Sequence, residues 1–169
     1  YEPDNVRSAI KVFKKEGYFP FIPTLENSRK VLCCGRTYLT NGLINHAKNE
    51  VLRILETYKP YIKNGISIVG LEPSCILSFR DEIPNLIKNE ETDYLKNNSY
   101  TFEELLSKNS EKLKFKNLTK KVLLHGHCHQ KAFDVVKPIE NILNNIKGAE
   151  VETIETSCCG MAGSFGYDK

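Results

Sequence analysis

Apolar positions along the chain recur at the helical period in some segments and gather into short runs in others, and the two kinds of segment alternate. After Pro3 and Asp4, the residues Val6, Ile10, Val12 and Phe13 repeat at helical spacing and Gly17 closes the segment, which predicts a first helix. Tyr18 to Ile22 predicts a short strand, followed by a loop that reaches Val31 and Leu32. Asn41 is placed to cap a long amphipathic helix in which Leu43, Ala47, Val51, Ile54, Leu55 and Tyr58 lie near one face, with its end between Pro60 and Gly65. Ile66, Ile68 and Val69 predict a strand that runs into Glu72, Pro73, Ser74 and Cys75, and Val122, Leu123 and Leu124 predict another that runs into His125 to Gln130. A helix from about Lys131 to Ile146, stopped at Gly148, and a strand marked by Val151 and Ile154 complete the pattern.

Strands alternating with helices predict an α/β fold, a mostly parallel sheet with flanking helices, and such sheets carry their chemistry in loops beyond the carboxyl ends of the strands. The stretch 81–120 is rich in Lys, Asn and Glu and holds only short helical patterns such as Phe102 to Leu106, so it is expected as a peripheral insertion. The whole of 1–169 is expected to form a single cysteine-rich domain. Because the chain starts without Met and stops just after a glycine-rich motif, it is further expected to be a fragment of something longer.

Composition narrows the function classes. With 40% hydrophobic and 27% charged residues the chain is globular and large enough for one core. Its net charge of +3 comes from lysines interleaved with acidic residues, so no face reads as a nucleic-acid surface. No apolar run approaches ~18 residues, which excludes a helical membrane span within this sequence.

The cysteines change the picture most. All six fall in short motifs: a Cys-Cys-Gly doublet at Cys33, Cys34 and Gly35, a second at Cys158, Cys159 and Gly160, and single cysteines at Cys75 and Cys128. Adjacent residues have Cα atoms ~3.8 Å apart, below the roughly 4.4–6.8 Å of a relaxed disulfide, so neither doublet suits an internal disulfide. Two neighbouring thiolates joined by a remote one suit a metal, either an iron–sulfur cluster or zinc; the plain alternative is buried small apolar packing. No C-x-x-C pair is present to favour thiol–disulfide chemistry. Thiols grouped as ligands, without a basic-then-apolar leader, point to a reducing compartment, the cytoplasm or the inner face of its membrane.

A weak internal repeat ties the motifs together. The helix ending at Gly17, its strand and the doublet at Cys33 match the helix ending at Gly148, its strand and the doublet at Cys158, giving two pseudo-repeated halves with cysteine loops at strand carboxyl ends. Cys128 precedes its doublet by 30 positions and Cys75 follows its own by 41. The equivalent trailing cysteine of the second half is expected beyond Lys169, and the leading cysteine of the first half before Tyr1.

The segments CCGRT, GLEPSC, LHGHCHQKAF and SCCGMAGSFGY together resemble the cysteine-rich CCG domain found in heterodisulfide reductase and in the iron–sulfur subunit of glycolate oxidase. The combination is most similar to the C-terminal region of fused flavin-linked oxidases of the D-lactate dehydrogenase type. That resemblance implies iron–sulfur clusters of a four-iron (4Fe-4S) type, noncubane in the best-understood relatives, with zinc replacing a cluster in some members. Carried over residue by residue, it implies Cys33, Cys34 and Cys75 as ligands of one site and Cys128, Cys158 and Cys159 of the other. It implies an oxidoreductase component, inactive alone, that passes electrons from FAD in a flavin domain, through a ferredoxin-like domain, to an acceptor such as a quinone.

The neighbours of the cysteines admit two readings each. Gly160, Ala162, Gly163 and Gly166 leave backbone free to approach a cluster, or form a tight turn. His125, His127 and His129 alternate about Cys128, so an extended segment would place them on one face, ready to ligate zinc or move protons; His129 is favoured over His125 as the further metal candidate. Glu72 and Arg36 flank cysteines and steady the local charge, or simply form structural ion pairs. The resulting expectation is an electron-transfer module of a flavin-dependent 2-hydroxy-acid (D-lactate or glycolate type) oxidoreductase, with a zinc-stabilised structural or docking domain as the alternative.

Overall fold

A computed structural model of the chain describes residues 3–23, 31–109, 113–156 and 160. In chain order the elements are α1 (Pro3–Lys15), α2 (Arg36–Thr40), α3 (Ile44–Ile62), β1 (Ile68–Gly70), α4 (Pro73–Ser78), α5 (Glu82–Leu86), α6 (Glu90–Asn98), β2 (Ser99–Thr101), α7 (Phe102–Ser107), β3 (Lys120–Leu124), α8 (Cys128–Ala132), α9 (Lys137–Asn144) and β4 (Ala149–Thr153). They fall into two compact units, one holding α1 with everything from α7 onward to β4, the other holding α2 to β2. No described helix is long and apolar enough to cross a membrane.

The mixture of helices and parallel strands matches the α/β expectation, but the single mostly parallel sheet does not form among the described residues. There are instead two separate two-stranded parallel sheets. β1 lies beside β2 with Ile68 opposite Ser99 and Gly70 opposite Thr101; β3 lies beside β4 with Lys120 opposite Ala149 and Leu124 opposite Thr153. A parallel pair cannot be joined by a tight turn, so each sheet needs a crossover of a dozen or more residues. Between β1 and β2 that crossover is α4, α5 and α6, which corrects the reading of 81–120 as peripheral. Its first half supplies the partner strand of β1 and buries Ile83, Thr92, Leu95, Ser99 and Thr101. The stretch looked peripheral because its exposed positions are polar; its buried ones are few and spaced for short helices.

The core of the α3 unit follows the amphipathic pattern. Ala47, Val51, Ile54, Leu55 and Ile62 of α3 are buried with Ile76 and Leu77 of α4, Ile83 of α5 and Leu95 of α6. Pro60 lies in the last turn of α3, and Gly65, at φ 71°, ends the excursion before β1. Asn41 does not cap α3. It is the C-cap of α2, its side-chain amide donating to the Thr37 carbonyl at 2.7 Å, and Leu43 precedes α3 without a side-chain cap.

In the other unit, Ala9 and Phe13 of α1 are buried with Leu105 and Leu106 of α7, Val135, and Ile142 of α9. The Phe13 ring meets those of Tyr18 and Phe102 edge to face, with centroids 5.3 and 5.0 Å away. The predicted strand at Tyr18–Ile22 is not formed among the described residues, and Phe19 is 94% exposed. The predicted helix from Lys131 to Ile146 is two helices. Asp134 adopts φ 55°, the Val135 amide closes back on the Gln130 carbonyl at 2.8 Å, and Pro138, which lacks an amide hydrogen, opens α9 instead of continuing α8.

The proposed equivalence of halves is not carried by these elements. Among the described residues no strand leads into Cys33, and Cys75 and Cys128 sit on the first turns of α4 and α8 rather than in loops. The second doublet, Cys158 and Cys159, lies outside the described residues, as do Ala162, Gly163 and Gly166.

Candidate metal centre

Two short helix starts position the first group of thiols. β1 ends at Gly70, and two residues later Glu72 caps α4: its carboxylate accepts from the Ser74 amide at 3.2 Å and the Ser74 hydroxyl at 2.6 Å, with Pro73 in the first turn. Glu72 is therefore a capping residue, and its carboxylate faces the helix start that carries Cys75. Gly70, which the sequence pattern did not single out, lets α4 approach β1 so closely: a Cβ there would lie 2.4 Å from the Ile76 Cβ. The residue after Cys75 is thus pressed against the strand, and the thiol is fixed with it.

Across from α4, Gly35 is the N-cap of α2 at φ 78°, a left-handed conformation, and a Cβ at this position would come 3.1 Å from the Ala47 carbonyl oxygen of α3. The glycine of the doublet motif is required by both constraints. Its amide points at the Cys33 sulfur at 3.5 Å. Arg36 pairs with Glu82 of α5 at 2.5 Å, tying the start of α2 to the crossover; the other Glu82 oxygen, Oε2, is buried without a hydrogen-bond partner. These contacts bring the Cys34 and Cys75 sulfurs, 41 residues apart in sequence, to 3.2 Å.

Two half-buried thiols at that distance share a proton. The Cys75 S–H beside Cys34 holds the Cys34 thiol down at about 6, against the opposing effect of burial, with the Arg36 backbone amide helping. Cys75 is pushed well above the ordinary thiol range because it donates to Cys34, because it is buried, and because Cys34, Glu72 and Cys33 place negative charge around it. The pair is a thiolate–thiol couple near neutral pH, and a metal would discharge the second proton. The donor set fits one: tetrahedral thiolates on zinc, with Zn–S ~2.3 Å, stand about 3.7 Å apart, so the sulfurs need to open by only about half an ångström. A cluster of several irons can take the two sulfurs of a doublet on different atoms; among the described residues the close sulfur pair is Cys34 and Cys75, with Cys33 next to Cys34 in the chain.

The second group forms at the start of α8. His127 is the N-cap, its Nδ1 accepting from the His129 amide at 3.2 Å, while the Gln130 side-chain oxygen accepts from the His127 amide at 3.0 Å. The exposed Cys128 sulfur lies 3.8 Å from His127 Nδ1 and 3.5 Å from His129 Nδ1, and the two imidazole rings stack with centroids 5.2 Å apart. The expected single face of three histidines is not found, because the chain turns helical at Cys128. His125 stays on the extended segment and its Nε2 lies 3.1 Å from the Thr156 hydroxyl. Lys131 holds the Thr156 carbonyl at 2.5 Å, so the chain just before the second doublet is tethered beside the Cys128 turn. The capping role of His127 was legible only in hindsight, as a His-x-x-Gln at the end of a strand.

No protein-family model matches the chain, and no solved structure does. Among curated proteins it is 27% identical over 143 residues to one subunit of the anaerobic glycerol-3-phosphate dehydrogenase of Escherichia coli, covering 83% of this chain and 36% of that protein. It is 24% identical over 176 residues to the D-2-hydroxyglutarate dehydrogenase of Haemophilus influenzae, covering 99% of this chain and 16% of that protein. It is 27% identical over 143 residues to lactate utilization protein A of Bacillus subtilis, covering 79% and 58%. The chain therefore spans about a third of the first relative's length and about a sixth of the second's. Its similarity is to parts of dehydrogenases and of a lactate-utilization protein.

Proposed function

We propose that this chain is an iron–sulfur electron-transfer module of a flavin-dependent oxidoreductase acting on a 2-hydroxy acid or a related hydroxy compound. The observation that carries the reading is the convergence of Cys34 and Cys75 to 3.2 Å beside Cys33, on two helix starts whose approach depends on Gly35 and Gly70. The relatives named above support the reaction class, since glycerol 3-phosphate, 2-hydroxyglutarate and lactate all carry a hydroxyl-bearing carbon whose oxidation releases two electrons. A bound iron–sulfur cluster supplies one-electron acceptor chemistry. In this reading Cys33, Cys34 and Cys75 hold one cluster and Cys128, Cys158 and Cys159 a second. The tether of Thr156 to His125 and Lys131 supports the second grouping, since it delivers the chain to its doublet from beside Cys128.

The chain's own residues do the rest. The half-buried setting of Cys34 and Cys75 limits water at the thiolates, and the Arg36–Glu82 pair and the Glu72 cap hold the two helix starts in register. The flavin domain, a ferredoxin-like domain and a quinone acceptor are partners in the same chain or complex, on the cytoplasmic side.

Anaerobic purification of the full protein with iron, sulfide and zinc analysis tests the reading. Visible absorption with acid-labile sulfide is the expected result; a colourless, zinc-loaded protein would establish the zinc-stabilised docking domain instead. Cys34→Ala and Cys75→Ala should lower iron content and acceptor reduction while flavin reduction by substrate survives. Iron content and electron transfer left intact by both changes would remove the thiols from the site and the function with them.

A further inference from the structure

We infer that Cys34 and Cys75 are a redox-modification site: when no metal holds them, a peroxide joins them in a reversible disulfide instead of carrying either thiol to a sulfinic acid. Their sulfurs stand 3.2 Å apart although 41 positions separate them in the chain. A disulfide bond of ~2.05 Å therefore needs the pair to close by only about 1.1–1.2 Å. Both ends are held where they are. The Ser78 hydroxyl donates to the Cys75 carbonyl at 2.7 Å, and Ile76 is pressed against Gly70. On the other side, Gly35 seats the doublet against the Ala47 carbonyl of α3. Cys33 is a poor competitor. Its Cα lies ~3.8 Å from that of Cys34, too near for a relaxed disulfide, and the Gly35 amide points at its sulfur at 3.5 Å.

The chemistry balances with peroxide as the oxidant. The thiolate member of the pair attacks one peroxide oxygen, the O–O bond breaks and hydroxide leaves, giving a sulfenic acid. The neighbouring thiol then attacks that sulfur; the S–S bond forms, the S–O bond breaks and the oxygen departs as water with the thiol's proton. Two electrons have passed from the sulfur pair to the peroxide. A dithiol reductant returns two electrons and two protons and frees both thiols. A sulfenic acid with no thiol at this distance meets more peroxide and becomes a sulfinic acid, which thiols do not reduce. Both sulfurs are half-buried, so a small oxidant reaches them while the neighbour stays the nearest nucleophile. Metal loss under oxidation thus leaves two ligands in a recoverable form.

The inference rests on the proposed cluster only in that any metal must have left the thiols first, and the experiment separates the two. The full protein is analysed for iron and sulfide, stripped of metal anaerobically with a chelator, shown to be folded by circular dichroism, and treated with a small excess of hydrogen peroxide. Peptide mapping by mass spectrometry without reductant should find the Cys34 and Cys75 peptides joined with the loss of two hydrogens in most chains. Dithiothreitol should separate them. Cys33→Ser should leave the cross-link in place, and Cys34→Ser should lower it at least tenfold. In Cys75→Ser the Cys34 peptide should instead carry two added oxygens. Urea midpoints of the cross-linked chain should lie above those of the reduced one, since the bond closes a long loop of the unfolded chain. A sulfinic acid at Cys34 with Cys75 left free in the unmodified protein, or a cross-link that survives Cys34→Ser, overturns the inference. Iron and sulfide content before stripping answers the cluster question independently.

Discussion

The proton shared by Cys34 and Cys75 gives a prediction whose size can be worked through in the metal-free protein. A thiol at its ordinary value of 9.0 is about 1% ionised at pH 7, whereas one at about 6 is about 90% ionised, roughly a ninetyfold gain in thiolate. Lower basicity takes some of this back: with a Brønsted slope of 0.4–0.5, three units of acidity cost roughly twentyfold in intrinsic nucleophilicity. Cys34 should therefore attack an aromatic disulfide reagent only about four to five times faster than an ordinary thiol at pH 7, but about forty to fifty times faster at pH 5, where the ordinary thiolate has almost vanished. Partial burial slows attack by a factor that does not depend on pH, so the midpoint of the rate profile is the reliable reading. Stopped-flow measurement against pH, with Cys34→Ala subtracted, should show a midpoint near 6. Cys75→Ala removes the main cause and should carry the midpoint up toward the ordinary thiol range. A midpoint above about 8 in the unmodified chain, or one that ignores Cys75→Ala, would refute the shared proton.

Stability of the same metal-free protein should depend on pH in a defined sense. Cys34 is depressed on folding, so its contribution is present above about 9 and lost as pH falls through about 6; Cys75 is raised, so its contribution is present below about 9 and lost above it. Urea midpoints should accordingly be greatest near pH 8–9 and fall toward pH 5.5, and Cys34→Ala should flatten that slope. Gly70→Ala puts a methyl 2.4 Å from the Ile76 Cβ and should cost about 1–3 kcal/mol by urea titration; because it pushes α4 off β1, it should also reduce iron content although Gly70 touches no ligand. Leu95→Ala, at a fully buried position of α6, should cost about 2–5 kcal/mol in the same assay, whereas a truly peripheral insertion would tolerate it within about 0.5 kcal/mol.

By itself the sequence determined the long helix α3, the first helix, the strands β1, β3 and β4, and the grouping of the cysteines into short motifs. Each of these rests on short-range physics: a sustained apolar period, a glycine at a helix end, or a residue type whose chemistry is its own. Tertiary structure alone decided which strands pair. β1 finds its partner in Ser99–Thr101, three residues too few to read as a strand from the sequence, because a parallel crossover through α4 to α6 returns the chain there. It also decided the sites. That Cys34 meets Cys75 at 3.2 Å depends on two glycines removing Cβ atoms from helix contacts, and steric room of that kind leaves no period in a sequence. That His127 and His129, and not His125, gather around Cys128 depends on the chain turning helical about three residues earlier than the apolar pattern suggested. A two-residue periodicity and a helical one place the same three histidines on different faces, and only the backbone that forms can choose between them.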